Sequence, residues 1–145
     1  MPVSYLPREY HHVTPYLVIQ DAAKLIDFLK RVFGASEKEI LKTPEGRIMH
    51  AEVKIGDSVI MMGEPGGRWK PMPAALYVYV EDADAAYKRA LDAGASSVMA
   101  PADQFFGDRN AGVQDAFGNM WWIATHKEDV APEELERRAR AARPQ

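Results

Sequence analysis

Apolar and polar positions fall into two recurring layouts along the chain. Around residues 13–19, and again around 75–80, β-branched, aromatic and aliphatic residues alternate with the period of two that marks a strand. An aspartate follows each run, Asp21 or Asp82, where a helix N-cap belongs. The next apolar positions take helical spacing: Leu25, Phe28, Leu29 and Val32 in the first stretch, and Ala86, Ala90 and the neighbouring Leu91 in the second. Gly34 and Gly94 stand where a left-handed C-terminal cap needs glycine. Three short strands are expected after the first helix, near 38–42, 47–54 and 58–62, with turns at Pro44-Glu45-Gly46 and Gly56-Asp57. After the second helix the first short strand is expected near 97–99, followed by a longer loop over 101–108. A charged segment opening Pro132-Glu133-Glu134 predicts a peripheral helix over 132–143.

The two layouts are copies of one another. Tyr16-Leu17-Val18-Ile19-Gln20-Asp21-Ala22 recurs as Tyr77-Val78-Tyr79-Val80-Glu81-Asp82-Ala83, 61 residues later. Both helical stretches run into Gly-Ala-Ser, at Gly34 and Gly94, while Arg47 aligns with Arg109 and Gly56 with Gly118 at an offset of 62. One-residue gaps in loops account for the drift. The reading is an α+β fold in one domain that uses a βαβββ module twice. Module one spans about 12–63, a linker 64–73, and module two about 74–126.

Composition narrows the function. Eighteen Lys+Arg against 21 Asp+Glu leave a net charge of -3 without a basic stripe, so no nucleic-acid partner is expected. No apolar run is long enough for a membrane span, and Met1-Pro2-Val3-Ser4-Tyr5 lacks the layout of a signal peptide; a cytoplasmic location is expected. The absence of cysteine removes disulfides, Cys-ligated zinc, iron–sulfur clusters and thiol nucleophiles.

The wording of the motifs adds a resemblance. Thr14-Pro15-Tyr16-Leu17, Val32-Phe33-Gly34-Ala35, Phe106-Gly107-Asp108-Arg109 and Asp115-Ala116-Phe117-Gly118-Asn119, set in the doubled layout over about 13–125, resemble the PhnB-like branch of the vicinal oxygen chelate superfamily. That superfamily holds glyoxalase I, bleomycin-resistance proteins, fosfomycin-resistance enzymes and extradiol dioxygenases. Ala116 departs from its usual Asp-Pro-Phe-Gly. The resemblance implies sheets curled around a shared cleft, helices on the convex side, and a homodimer. In metal-dependent members a His or Gln starts the first strand of each module and a Glu sits on each last strand. The corresponding positions here are Thr14, Ala75, Ile60 and Trp122, and their neighbours are no better as ligands. No metal at these positions and no cofactor is therefore expected.

Strand alternation also sorts the faces. Leu17 and Ile19 oppose Thr14, Tyr16 and Val18; Leu76, Val78 and Val80 oppose Ala75, Tyr77 and Tyr79; Met49, Ala51 and Val53 oppose Ile48, His50, Glu52 and Lys54. The aliphatic faces seat the helices. The second face is expected to carry Tyr16, Tyr77, Tyr79, His50 and Glu52, joined on the last strands by Ile60, Met62, Trp122 and Ala124. Aromatic bodies with polar tips suit an organic ligand, and Glu52 suits a cationic group. A filled interior or a dimer seam is the structural alternative.

His50 and Glu52, two apart on a strand, share a face, but a metal site needs a third ligand and none stands at a matching position. His11, His12 and His126 flank the strands and are expected in solvent. Trp69 in the Gly- and Pro-rich connector reads as a lid or partner clamp, or as a cover for the sheet edge. Of Phe105 and Phe106, one is expected to pack inward and the other to face the cleft mouth; Arg109 is expected to pair with Asp115.

The leading expectation is a metal-free protein of the bleomycin-resistance type that holds a small aromatic or cationic molecule. Its ligand set is Tyr16, His50, Glu52, Ile60, Met62, Trp69, Tyr77, Tyr79, Phe106 and Trp122. The alternative is a glyoxalase- or lyase-like enzyme with His50 as general base and Glu52 as its partner or acid, with or without a divalent metal. A third reading is an interaction module whose second face is consumed by self-association.

Overall fold

The computed structural model describes residues 3–142. Met1 and Pro2 of the leader reading, and Arg143 at the end of the expected terminal helix, lie outside the described residues. The chain divides into two units, Met1–Ala74 and Ala75–Gln145. Unit one runs β1 (Tyr16–Val18), α1 (Ala22–Phe33), β2 (Ser36–Lys42), β3 (Ile48–Ile55) and β4 (Ser58–Gly63). Unit two runs β5 (Ala75–Tyr79), α2 (Ala83–Asp92), β6 (Ser96–Asp103), β7 (Asp108–Gln114), β8 (Met120–His126) and α3 (Pro132–Ala141). The strand orders, β1-β4-β3-β2 and β5-β8-β7-β6, are the same topology twice. In each sheet the first strand pairs in parallel with the last, and the other pairs are antiparallel. The fold is α+β, two βαβββ modules.

Local chemistry explains the helices. The Asp21 carboxylate accepts from the Lys24 amide and the Asp82 carboxylate from the Ala85 amide, each closing a first turn. Gly34 caps α1 in the left-handed region at φ 67, where a side chain would be strained. α1 buries Leu25, Ile26, Phe28, Leu29 and Val32, whereas α2 buries only alanines, Ala83, Ala86 and Ala90, and Leu91 stays at the surface. Where α2 buries only small residues, the sheet of unit two contributes the large side chain of Trp121, which is fully buried.

A second device is duplicated as well. The Glu64 carboxylate accepts from the Ala22 amide at 3.2 Å, and the Thr125 hydroxyl accepts from the Ala83 amide at 2.9 Å. Each side chain, at or just beyond the end of a last strand, ties that strand to the otherwise unpaired first turn of its own helix.

The ladders correct three expectations. β6 extends through Asp103, so the expected loop over 101–108 shrinks to 104–107. Pro101 is tolerated because β6 is an edge strand whose register slips between Met99 and Ala102. The second correction concerns faces. Tyr16 pairs with Met61 and Leu17 with Met62, while Glu52 pairs with Met61 and Val53 with Ile60. Ile60 and Met62 therefore lie on the buried Leu17 side, away from Tyr16, His50 and Glu52, and Met61 takes the place expected of them. A one-residue change of register moves every side chain to the other face, and the offset of 62 read from the glycines is one more than the 61 that relates the strands. In unit two Tyr77 pairs with Trp122 and Tyr79 with Ala124, so those four do share a face. Third, Lys42 pairs with Ile48 while Leu41 pairs with His50, which leaves Met49 as the extra residue of a bulge. Met49 is exposed and Ile48 buried, the reverse of strict alternation.

No helix among the described residues is long and apolar enough to cross a membrane.

Candidate functional site

Unit one holds a cavity of about 640 Å³ lined by Tyr16, Val18, Met49, Gly63, Glu64, Trp69 and Met72. Four pieces of backbone build it: β1, the bulge in β3, the end of β4, and the connector that follows. The connector is pinned. Gly66 and Trp69 exchange two backbone hydrogen bonds of 2.9 Å, and the Met72 amide donates to the Val18 carbonyl at 2.8 Å. The backbone of Met72 thus covers the edge of β1, and Trp69 stands 61% exposed with the Arg68 guanidinium 5.4 Å from its ring. At Gly63 a Cβ would come 2.9 Å from the Met49 carbonyl oxygen and 3.0 Å from the Tyr16 hydroxyl, so glycine is what lets Tyr16 lie here. Glu64 is already committed: it accepts from the Ala22 and Ile48 amides, and Arg47 Nε lies 3.6 Å away. Arg47 also donates to the Pro65 carbonyl, which makes it an architectural residue.

Tyr16 joins the cavity to a polar cluster. Its hydroxyl lies 3.5 Å from His50 Nδ1, with the two rings 5.7 Å apart. His50 Nε2 is 2.8 Å from Glu52 Oε2, and the Tyr10 hydroxyl donates to Glu52 Oε1. Across the β2–β3 ladder Glu39 is the direct partner of Glu52. One ligand atom from each of Glu39, His50 and Glu52 lies within 4.8 Å of the others. The β2–β3 pairing therefore brings up a third group able to ligate, Glu39, that spacing along the chain did not reveal. Glu52 is buried, which alone would push its pKa up; hydrogen bonds from His50 and Tyr10 outweigh this and hold it below the usual carboxylate value. The same bond pushes the Tyr10 phenol up to about 12. Tyr10 sits on an N-terminal strap anchored by Glu9, which pairs with Lys54 at 2.9 Å and Lys38 at 3.5 Å. Glu9, Tyr10 and Glu39 were not foreseen. The only available signal was the alternation of acidic residues Glu37 and Glu39 in β2, whose register slips between them.

Unit two carries its own constellation. Tyr77 and Tyr79 donate to Asp108 Oδ2 at 2.7 and 2.9 Å, and His126 Nδ1 meets Asp108 Oδ1 at 2.7 Å. Asn110 donates to the Tyr77 hydroxyl at 3.2 Å, and Asp129 faces His126 Nε2 at 2.7 Å. Burial would raise the Asp108 carboxyl, but bonds from His126, Tyr77 and Tyr79 hold it below its usual value. Burial, then the bond to Asp108, pushes Tyr77 up to about 12, and the bond to Asp108 raises Tyr79. The bond to Asp108, with Asp129 behind it, raises His126. His126, expected at the solvated surface, is half-exposed there as the last residue of β8, and it stands between two carboxylates. Asp108 went unnoticed because the expected loop placed it off the sheet. Trp122 lies over Gly112, where a Cβ would stand 3.0 Å from its ring.

Two further expectations are corrected. Phe105 and Phe106 are both exposed and meet each other edge to face at 5.4 Å, so neither packs inward. Arg109 forks onto Asp84 at 2.6 and 2.9 Å and reaches Asp103 at 3.2 Å, not Asp115. Asp115 instead accepts from the amides of Phe117 and Asn119, the Asn119 side chain and the Trp121 indole.

The divalent ion of the superfamily's metal-dependent members does not fit its inherited positions. Thr14 offers a hydroxyl that already bonds the His11 carbonyl, and Ile60, Ala75 and Trp122 offer alkyl, methyl and indole groups. Met61, which the ladder substitutes for Ile60, adds only a thioether.

Comparison with known proteins agrees with the fold. The sequence profile of the Glyoxalase/Bleomycin resistance protein/Dioxygenase superfamily matches residues 9–123. The uncharacterized protein Mb0911c of Mycobacterium bovis is 33% identical over 135 residues, covering 86% of this chain and 89% of that protein. Among solved structures, TioX from Micromonospora sp. ML1 is 27% identical with a TM-score of 0.68, over 80% of this chain and 98% of that one. The PhnB protein from Bacillus cereus shares the fold, with a TM-score of 0.63 at 17% identity over 79% of this chain and 99% of that one. Two βαβββ modules, a profile match across most of the chain and a relative at this identity lead to one conclusion: the chain belongs to the glyoxalase/bleomycin resistance/dioxygenase, or vicinal oxygen chelate, superfamily.

Proposed function

We propose that the protein binds a small aromatic or cationic organic molecule in the cavity of unit one. The observation that carries this reading is the cavity itself. Its volume of about 640 Å³ suits a drug-sized ligand, and Tyr16, Met49, Trp69 and Met72 line it while each remains half-exposed or more. Aromatic planes and thioethers are adaptable contacts for a flat ligand, and the Arg68 guanidinium over Trp69 is the kind of contact a cationic ligand would make. The face of Tyr77, Tyr79 and Trp122 is a second surface of the same chemistry.

The test is a fluorescence titration with a planar cationic dye and a neutral aromatic of equal size. Saturable binding that Trp69→Ala or Met72→Ala weakens about tenfold or more supports the cavity. Loss on Trp122→Phe alone moves the site to unit two. Failure of both probes, with light scattering showing a dimer that Trp69→Ala dissociates, assigns the face to self-association instead.

A second reading rests on the 2.8 Å contact of His50 Nε2 with Glu52, which makes His50 a candidate general base beside the cavity. A His50→Ala variant that binds normally but loses turnover of a substrate found by screening supports the enzyme.

A further inference from the structure

We propose that Glu39, His50 and Glu52 form a binding site for one divalent transition-metal ion, built on β2 and β3 and separate from the positions where the superfamily's metal-dependent members hold theirs. The first argument is geometric. Imidazole nitrogen and carboxylate oxygens bind such an ion at about 2.0–2.2 Å, which puts ligand atoms roughly 3–4 Å apart. The three groups already lie within 4.8 Å of one another, so closing on an ion needs only side-chain rotations. Their backbones are held by the sheet: Glu39 and Glu52 are direct cross-strand partners, and His50 follows on the same face of β3 two residues away.

The second argument is charge. Glu52 is buried, and among the described residues neither it nor Glu39 has a lysine or arginine within ion-pair distance. Lys38 of β2 and Lys54 of β3 are turned instead to Glu9. The two cross-strand carboxylates therefore share an imidazole neighbour but have no lysine or arginine as a direct partner.

The third argument is the outer layer. The Tyr10 hydroxyl donates to Glu52 Oε1, and the Tyr16 hydroxyl sits beside His50 Nδ1. With Nδ1 directed to Tyr16, Nε2 is the nitrogen left to face an ion, the arrangement by which outer groups orient metal-binding histidines. One imidazole with two carboxylates suits zinc, manganese, cobalt, nickel or iron(II) over magnesium or calcium, whose sites are built from oxygen alone. Three protein ligands leave at least one coordination position open on the exposed Glu39 side.

The inference does not depend on the cavity reading, and its test uses the metal alone. The untagged full chain, stripped with chelator, is titrated with Co²⁺ while visible absorption is followed, with Zn²⁺ as competitor. The expected result is one Co²⁺ per chain, displaced by Zn²⁺, with binding weakened roughly 10- to 100-fold or more in Glu39→Gln and in His50→Ala. Glu39 is exposed, so Glu39→Gln keeps its fold even if Glu52→Gln does not. His126→Ala is expected to bind as the unaltered chain does. The proposal is overturned by the absence of saturable binding up to about 1 mM Co²⁺, or by binding that survives both Glu39→Gln and His50→Ala.

Discussion

Removing the Asp115 carboxylate tests how unit two is held together. Its Oδ2 accepts from the Trp121 indole at 2.8 Å and the Asn119 side chain at 2.9 Å; its Oδ1 accepts from the Phe117 and Asn119 amides at 2.8 and 3.0 Å. Asn119 and Trp121 are fully buried, so Asp115→Ala strips three buried donors of this acceptor, while the Phe117 amide is only half-buried. A buried donor left without its acceptor costs about 1–3 kcal/mol, and a water entering the vacated space recovers part of the sum, which leaves about 3–5 kcal/mol. For a chain of this length that corresponds to a fall in Tm of roughly 6–20 °C. Urea unfolding followed by tryptophan fluorescence measures the loss. Arg109→Ala breaks only a partly exposed pair with Asp84 and Asp103 and is expected to cost about 0.5–1 kcal/mol. Because the two residues share no partner, the double variant should be additive within about 0.5 kcal/mol. A cost below about 1 kcal/mol for Asp115→Ala, or coupling above about 1 kcal/mol with Arg109, would refute the network and restore the ion pair expected from spacing.

Two further outcomes follow from the geometry. The bond to Asp108 raises His126 above its unfolded value near 6.5, so the stability it contributes is complete below that value and is lost as pH rises through the raised one; Asp108, held low, contributes above the usual carboxylate range and loses its contribution as pH falls through its own value. Denaturant midpoints taken between about pH 6 and pH 9 should fall for the unaltered chain, and His126→Gln should remove that slope; equal slopes would reject the coupling. Gly63→Ala places a methyl 3.0 Å from the Tyr16 hydroxyl and 2.9 Å from the Met49 carbonyl, so it should cost about 1–3 kcal/mol and weaken dye binding; an unchanged titration would show that Tyr16 is not part of the ligand's wall.

The duplication, both helices and their aspartate caps, and the topology the resemblance implied could be read along the chain, because each rests on neighbours a few residues apart or on a repeat that preserves them. The aromatic faces of β1 and β5 were legible for the same reason: Tyr16, Tyr77 and Tyr79 follow from strict alternation. Ladders joining residues far apart decided the rest. The parallel pairing of β1 with β4 sent Ile60 and Met62 to the core side and set Met61 beside Tyr16. The bulge at Met49 turned that residue toward the cavity. The pairing of β2 with β3 brought Glu39 to Glu52, and the N-terminal strap delivered Tyr10 to the same carboxylate from 42 residues away. Period and propensity report which way a side chain points relative to its own strand; only the register between strands, set by bulges and edges in three dimensions, decides which side chains meet.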